Sequence, residues 1–256
     1  MTDLTLHADI ISTHILMDMP HDEDLGDLTL EEAYDLSDLV ADRLETPLGG
    51  FAGYKIAWNV PALMEKFGMP HPGFGRVFKS QVHHMSAHLK LENYRNFMFE
   101  PEIVAVLGKD LKPGEIHTAE SVADAVAGFA AGFELLDRRD FPVANGMGPQ
   151  ILGHNVFNAG AIVGAERVKP ERLSLEDTTT RVQVNAEMLI EEVNAAPQHP
   201  LEAIAFLAQH YCGRGRIMKA GQIILCGSHT PLQPVTEASR ISVAMGRLGA
   251  AEIDIR

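Results

Sequence analysis

The chain has 256 residues, enough for one large domain with a substantial buried core and no need of disulfide or cofactor staples. Its 46% hydrophobic and 22% charged residues exclude the disordered and fibrous classes. A formal charge of −14, from 21 Lys and Arg against 35 Asp and Glu, repels phosphate backbones and anionic lipid, so neither nucleic acid nor a membrane is expected as a partner.

An anionic small molecule stays admissible, because a bound cation can reverse the potential inside an acidic pocket. Met1 to Asp9 carries acidic and polar residues where a secretory signal needs basic residues before an apolar run. No apolar stretch reaches spanning length. Cys212 and Cys226 have no CxxC spacing, as suits a reducing compartment, and the expected location is the cytoplasm.

Acids crowd Asp18 to Asp42, but Thr29 and Glu32 have capping-box spacing, and Leu30, Ala33, Tyr34, Leu36 and Val40 form one helical apolar face. Pro47, Gly49, Gly50 and Gly53 break this helix ahead of Tyr54-Lys55-Ile56, and Pro61 opens a short helix that Gly68 ends. The Pro- and Gly-rich run from Met69 to Lys79 reads as a surface loop. His84 and His88 have the spacing of a helical metal pair, yet with no third ligand and no HExxH they read, with His71 and His83, as solvated side chains.

Strand-like runs follow at Phe99 to Leu107, Phe133 to Leu136, Ala161 to Ala165, Arg181 to Met188, Gln222 to Cys226, Arg240 to Met245 and Glu252 to Arg256. Two helices interrupt them: Thr118 to about Ala131, with Val122, Ala125, Val126 and Phe129 on one face, and Pro200 to Tyr211. Gly213 to Arg216 reads as a solvated basic turn. Without regular strand–helix alternation or GxGxxG, the pattern predicts an α+β protein with a curved mixed sheet and flanking helices. The expected division is an N-terminal helical, α/β lobe over 1–70 and a β-roll over 71–256.

Glu100 and Glu102 stand at i and i+2 ahead of an apolar run, which on a strand puts both carboxylates on one face. So placed they repel, and the arrangement calls for a cation, a shared proton or open solvent. Two solvated acids at a strand end are the bland alternative. Glu134, set among Ala130, Phe133, Leu135 and Leu136, favours the cation, since its burial is costly without a partner. Oxygen ligands suit Mg²⁺ or Mn²⁺.

Several stretches, in order and spacing, resemble the fumarylacetoacetate hydrolase superfamily and, within it, the 2-keto-4-pentenoate hydratase and 4-oxalocrotonate decarboxylase group. They are Asp27 to Tyr34 (DLTLEEAY), Gly53 to Ile56 (GYKI), Pro61 to Met64 (PALM), Pro72 to Gly75 (PGFG), Glu100 to Ile103 (EPEI) through Leu111, Phe133 to Arg139 (FELLDRR) and Lys219 to Ser228 (KAGQIILCGS). The resemblance implies a fumarylacetoacetate-hydrolase-like fold and a homo-oligomer. It implies Glu100, Glu102 and Glu134 as ligands of Mg²⁺ or Mn²⁺, Lys55 beside the substrate, and a lyase acting on small unsaturated 2-oxo acids.

Ser228 is a candidate for holding a substrate carboxylate. The chain departs from the family pattern at Ala57-Trp58-Asn59-Val60, where relatives continue with Gly and a Thr-Ser pair, and at Asn155-Val156-Phe157-Asn158-Ala159, where they carry an Asn-Ala-Ser-Ser-Gly-like run. Trp58 and Phe157 either stack on a flat substrate or pack in the core, and Asn59 and Asn155 are polar candidates for a substrate oxygen, a structural turn being the alternative for Asn155. His199 and His229 lie near family-matching segments with no assigned role. Two other activities fit less of the pattern: an acylpyruvate or fumarylacetoacetate-type C–C hydrolase, and a catalytically silent partner subunit.

Overall fold

The computed structural model describes residues 3–256. Its α-helices are Leu4–Leu16 (α1), Leu30–Glu45 (α2), Pro61–Phe67 (α3), Ala119–Ala123 (α4), Gly148–Gly153 (α5) and Pro200–Gly213 (α6). Its strands are Phe51–Ala57 (β1), Gly73–Phe78 (β2), Val82–His84 (β3), Ser86–Leu89 (β4), Phe97–Leu107 (β5), Val126–Asp137 (β6), Asn158–Val163 (β7), Thr179–Val184 (β8), Glu187–Val193 (β9), Ile223–Ser228 (β10), Gln233–Pro234 (β11), Ser239–Ala244 (β12) and Ala250–Ile255 (β13). They form two mixed sheets, one in the order β2-β1-β10-β5-β6-β7-β3 with β11 also paired to β5, the other β4-β13-β12-β8-β9. The architecture is the expected α+β fold.

The α2 start follows the sequence closely. Glu32 N donates to Thr29 Oγ1 at 3.3 Å and Thr29 N to Glu32 Oε2 at 2.9 Å, closing the capping box. The apolar face of α2 divides between two cores: Ala33 and Tyr34 join the large one, whereas Leu36, Val40 and Leu44 pack with Ala8 and Ile11 of α1 and with Phe78 of β2. At the end of α3, Gly68 takes a left-handed φ of +69°, which terminates the helix as expected.

Several elements differ from the sequence reading. The helix α1 was not anticipated, because Asp, His and Thr side chains interrupt its apolar positions; Asp3 caps it by accepting from Leu6 N at 3.1 Å. The expected loop over Met69 to Lys79 contains β2, buried at every position. Its glycines serve close packing: a Cβ on Gly73 would stand 2.6 Å from the Trp58 ring, and one on Gly75 2.9 Å from Asn155 O and 3.0 Å from Lys55 Cε.

The helix expected over Thr118 to Ala131 stops at Ala123, and Val126 onward is β6. Pairing along the whole of β5, from Phe97↔Asp137 to Leu107↔Val126, outweighs the helical spacing of Val122, Ala125, Val126 and Phe129. Gly128 and Gly132 press β6 against Arg167 and Ile162, leaving no room for a Cβ. The run from Arg181 to Met188 is a hairpin, turned at Asn185 and Ala186 with φ of +51° and +69°. The expected lobe over 1–70 does not end at a sheet boundary, because β1 lies between β2 and β10 in the larger sheet.

Arg214 and Arg216, read as a solvated turn, instead bind the acidic face of α2. Arg214 bonds Glu31 at 3.0 Å, Asp35 at 2.6 Å and Asp38 at 3.0 Å, and Arg216 bonds both oxygens of Asp42 at 3.0 Å. Arg76 of β2, 2% exposed, also reaches Asp38. Thr29→Ala should lower unfolding stability by about 1 kcal/mol through loss of the cap. Urea denaturation followed by circular dichroism measures it, and an unchanged midpoint would show that the α2 cap is dispensable.

Candidate metal centre

Central strands bring the three acids together. Glu100 of β5 stands directly opposite Glu134 of β6, and Glu102 opposite Gly132. One carboxylate oxygen from each of Glu100, Glu102 and Glu134 lies within 4.8 Å of the others. Glu102 and Glu134 are 0% and 1% exposed, and Glu100 retains partial exposure. Like charges facing each other across a ladder destabilise a sheet, the more so out of water.

The surroundings answer part of this charge. Lys55 of β1, itself 0% exposed, forms an ion pair with Glu134 and donates to Val156 O at 2.5 Å. Glu102 Oε2 accepts from Gly227 N at 2.8 Å, but Oε1 is buried without a hydrogen-bond partner. Burial and the Glu134 charge push Glu100 up to about 8, with Lys55 and the Ser228 hydroxyl drawing it back. Burial, then Glu134 and Glu100, push Glu102 well above the usual carboxylate range, against the Gly227 amide.

One buried lysine cannot balance three carboxylates. An orphaned oxygen and an all-oxygen donor set fit a hard divalent cation. Glu100, Glu102 and Glu134 could hold it, with Mg²⁺ or Mn²⁺ as the matching ions.

Local backbone features make the arrangement possible. β10 changes register against β5 between Leu225 and Ser228, and in that bulge Gly227 has a φ of +113°, which turns its N–H to Glu102. Pro101, between the two acids, has no N–H to donate, while its carbonyl accepts from His229 N at 3.0 Å. Asn155, Val156 and Phe157 have consecutive φ of +52°, +48° and +56°, a left-handed turn strained at the β-branched Val156. That turn is also the segment that supplies Val156 O to Lys55.

The other candidates take varied places. Asn155 spends its amide on the β2 backbone, accepting from Arg76 N at 2.7 Å and donating to Arg76 O at 2.9 Å, so its side chain serves the turn. Asn59 Nδ2 donates to Cys226 O at 3.4 Å and would meet a Cβ on Gly227 at 2.4 Å, placing Asn59 against the bulge that caps Glu102. Ser228 Oγ lies 2.7 Å from Thr230 O and also beside Glu100, with one proton to share between them. Trp58, partly exposed and at φ +55°, rests its ring 4.7 Å from that of Phe67, and Phe157 packs in the core 5.4 Å from Phe141.

His229 is buried, bonds Thr180 Oγ1 at 2.6 Å and is held down to about 4 by burial. His199 caps α6, accepting from Leu201 N. His83 and His84 are on β3 and His88 on β4, so no helical pair exists. The sequence reading missed the Gly227 amide and the Val156 carbonyl; a glycine ending an apolar strand was the available signal for the first, and backbone groups leave none for the second.

The chain belongs to the fumarylacetoacetate hydrolase family: the model described as "Fumarylacetoacetate (FAA) hydrolase C-terminal" matches residues 69–256. It is 28% identical over 232 residues to the 2-hydroxyhexa-2,4-dienoate hydratase of Comamonas testosteroni, covering 89% of this chain and 86% of that one. It is 27% identical over 228 residues to the 2-keto-4-pentenoate hydratase of Burkholderia vietnamiensis, covering 88% and 85%. The fold matches that of 4-oxalocrotonate decarboxylase from Pseudomonas putida G7, complexed with magnesium and adipate, with a TM-score of 0.88, 22% identity, and 99% of this chain and 97% of that chain covered.

Two predictions follow from the charge balance and the turn. A carboxyl raised by folding leaves stability intact below its ordinary value of 4.5 and erodes it as pH climbs toward about 8, where the buried group must ionise. In EDTA the thermal midpoint should therefore fall across that window, whereas Mg²⁺ at about 100 times its Kd should add about 2.7 kcal/mol and flatten the slope. Identical slopes with and without Mg²⁺ or Mn²⁺ would argue against a cation. Asn155→Ala should cost about 2 kcal/mol by leaving Arg76 N and O unpaired, and should lower turnover more than it raises KM by loosening the Val156 anchor of Lys55. Unaltered turnover would separate that turn from the site.

Proposed function

We propose that the protein is a Mg²⁺- or Mn²⁺-dependent lyase acting on small unsaturated 2-oxo acids, of the hydratase or decarboxylase kind. The observation that carries the proposal is the cluster of Glu100, Glu102 and Glu134 around an orphaned carboxylate oxygen, with Lys55 as its one buried ammonium. The similarity to two hydratases over most of the chain supports the substrate class. When bound, the cation would supply a chelating point for a 2-oxo carboxylate and stabilise negative charge developing on the keto oxygen.

The chain's own groups set the rest. An ammonium has three N–H donors, and Lys55 Nζ spends two of them on Glu134 and Val156 O, so the third is free to hold or move a proton at substrate. Glu134 and Val156 O fix that nitrogen so that its approach is directional. Gly227 N holds one oxygen of Glu102, which orients the other toward the cluster. Trp58 and Asn59 directly follow β1, which carries Lys55, and are the candidates for meeting the rest of a conjugated substrate.

Incubation with Mg²⁺ and a panel of unsaturated 2-oxo mono- and diacids, following loss of conjugation and CO₂ release separately, tests the reading. Loss of conjugation without gas from a monoacid is the expected result, and Lys55→Met should reduce it by about 10²- to 10⁴-fold. Cleavage of saturated acylpyruvates in place of either reaction, or inertness toward every acid in the panel, would overturn it.

A further inference from the structure

A second group of polar side chains, separate from the carboxylate cluster, is buried without partners. His14 lies on α1, His21 and Glu23 in the connection from α1 to α2, and His154 directly after α5. Glu23 Oε2 stands 3.2 Å from His14 Nδ1, and Glu23 Oε1 stands 3.7 Å from His21 Nδ1 and 3.5 Å from His154 Nδ1. The rings of His21 and His154 have centroids 4.3 Å apart, and both residues are 1% exposed.

Despite this crowding, hydrogen bonds are missing. His14 Nδ1, both ring nitrogens of His21, both of His154 and both oxygens of Glu23 are buried without a partner. Native interiors rarely leave so many polar atoms unsatisfied together. Protonating the rings does not resolve it, because one carboxylate can balance one imidazolium and the remaining imidazoles would keep unfilled nitrogens.

Neutral imidazoles around one carboxylate form a ligand set with lone pairs pointing inward. His14, His21 and Glu23 can each offer an atom within 4.8 Å of the others, close to the spread that ligands at roughly 2 Å from one ion require. Imidazole donors favour borderline transition ions over Mg²⁺, unlike the all-oxygen cluster of Glu100, Glu102 and Glu134. We propose that His14, His21 and Glu23, with His154 packed against Glu23 beside them, form a second metal site, structural in role, for a Zn²⁺-like divalent ion.

Such an ion would tie α1 to the acidic connection before α2, next to His154 at the end of α5. It would also take up the charge of Glu23, which has no Lys or Arg partner in its ion pairs. The site is independent of the lyase reading, since none of its residues belongs to the carboxylate cluster.

Cobalt substitution tests the proposal. Protein stripped by chelation, then given Co²⁺ in excess Mg²⁺, should bind one equivalent with the strong visible absorption of a four-coordinate, nitrogen-ligated ion. Zn²⁺ should displace it, Mg²⁺ should not, and the thermal midpoint should rise with Zn²⁺. His21→Ala should abolish the band, and Glu102→Gln should leave it intact. His14→Ala, at a partly exposed position that the fold tolerates more readily, should weaken Co²⁺ binding by at least about tenfold while circular dichroism stays native. Absence of the coloured equivalent in the unaltered protein, a band unaffected by His14→Ala, or a band lost in Glu102→Gln would overturn the assignment.

Discussion

Mutual repulsion among Glu100, Glu102 and Glu134 is the constraint on which the rest of the structure depends. Two of them face each other across β5 and β6, in the middle of the larger sheet, where Glu134 is buried and water screens the pair poorly. A sheet centre normally gains stability from apolar pairs, and here it gives positions to acids that only opposite charge makes tolerable. Lys55 supplies one such charge from β1, although β10 and β5 separate that strand from β6 in the sheet order. Gly227 N supplies a partial one from the β10 bulge.

Those contacts need unusual backbone, and the chain provides it where the contacts fall. Gly75 has no side chain because the Lys55 stem and Asn155 occupy that space, and Gly227 has none because Asn59 does. Asn155 pins its left-handed turn to β2 through Arg76, whose guanidinium is in turn bound by Asp38 of α2. The helical region thereby reaches the lysine through a short run of hydrogen-bonded groups: α2 to Arg76, Arg76 to Asn155, and the neighbouring Val156 carbonyl to Lys55 Nζ. Part of the large negative charge has a structural use along the same route, since Glu31, Asp35, Asp38 and Asp42 hold Arg214, Arg216 and Arg76.

Legibility in the sequence follows how local each interaction is. The α2 cap was readable because Thr29 and Glu32 satisfy each other within one turn, and the Glu100–Glu102 pair because strand alternation fixes its facing. Glu134 was readable from the cost of a carboxylate among apolar neighbours. β2 and the first half of β6 were not, because Gly73, Gly75, Gly128 and Gly132 are there for the closeness of distant residues, which no local pattern shows. Asn155 resembled a polar candidate for substrate, but its partners lie on a strand seventy-nine residues away in the chain, beyond any local pattern. The His14, His21, Glu23 and His154 group was hidden for the same reason, as its fourth member comes from beyond α5.

The departures from the family pattern fall on two segments that adjoin Lys55 or its anchor in sequence. Trp58 and Asn59 follow β1 only a few residues after Lys55, and Val156 and Phe157 belong to the turn that anchors the same lysine. None of these residues belongs to the carboxylate cluster. The charge cluster and these departures therefore sit on different parts of the chain: the first on β5 and β6, the second on left-handed turns that follow β1 and precede β7. Neither Trp58, against Phe67, nor Phe157, against Phe141, carries charge, so substitution at either leaves the charge balance at the three glutamates untouched while the turns that bear them stay free to vary.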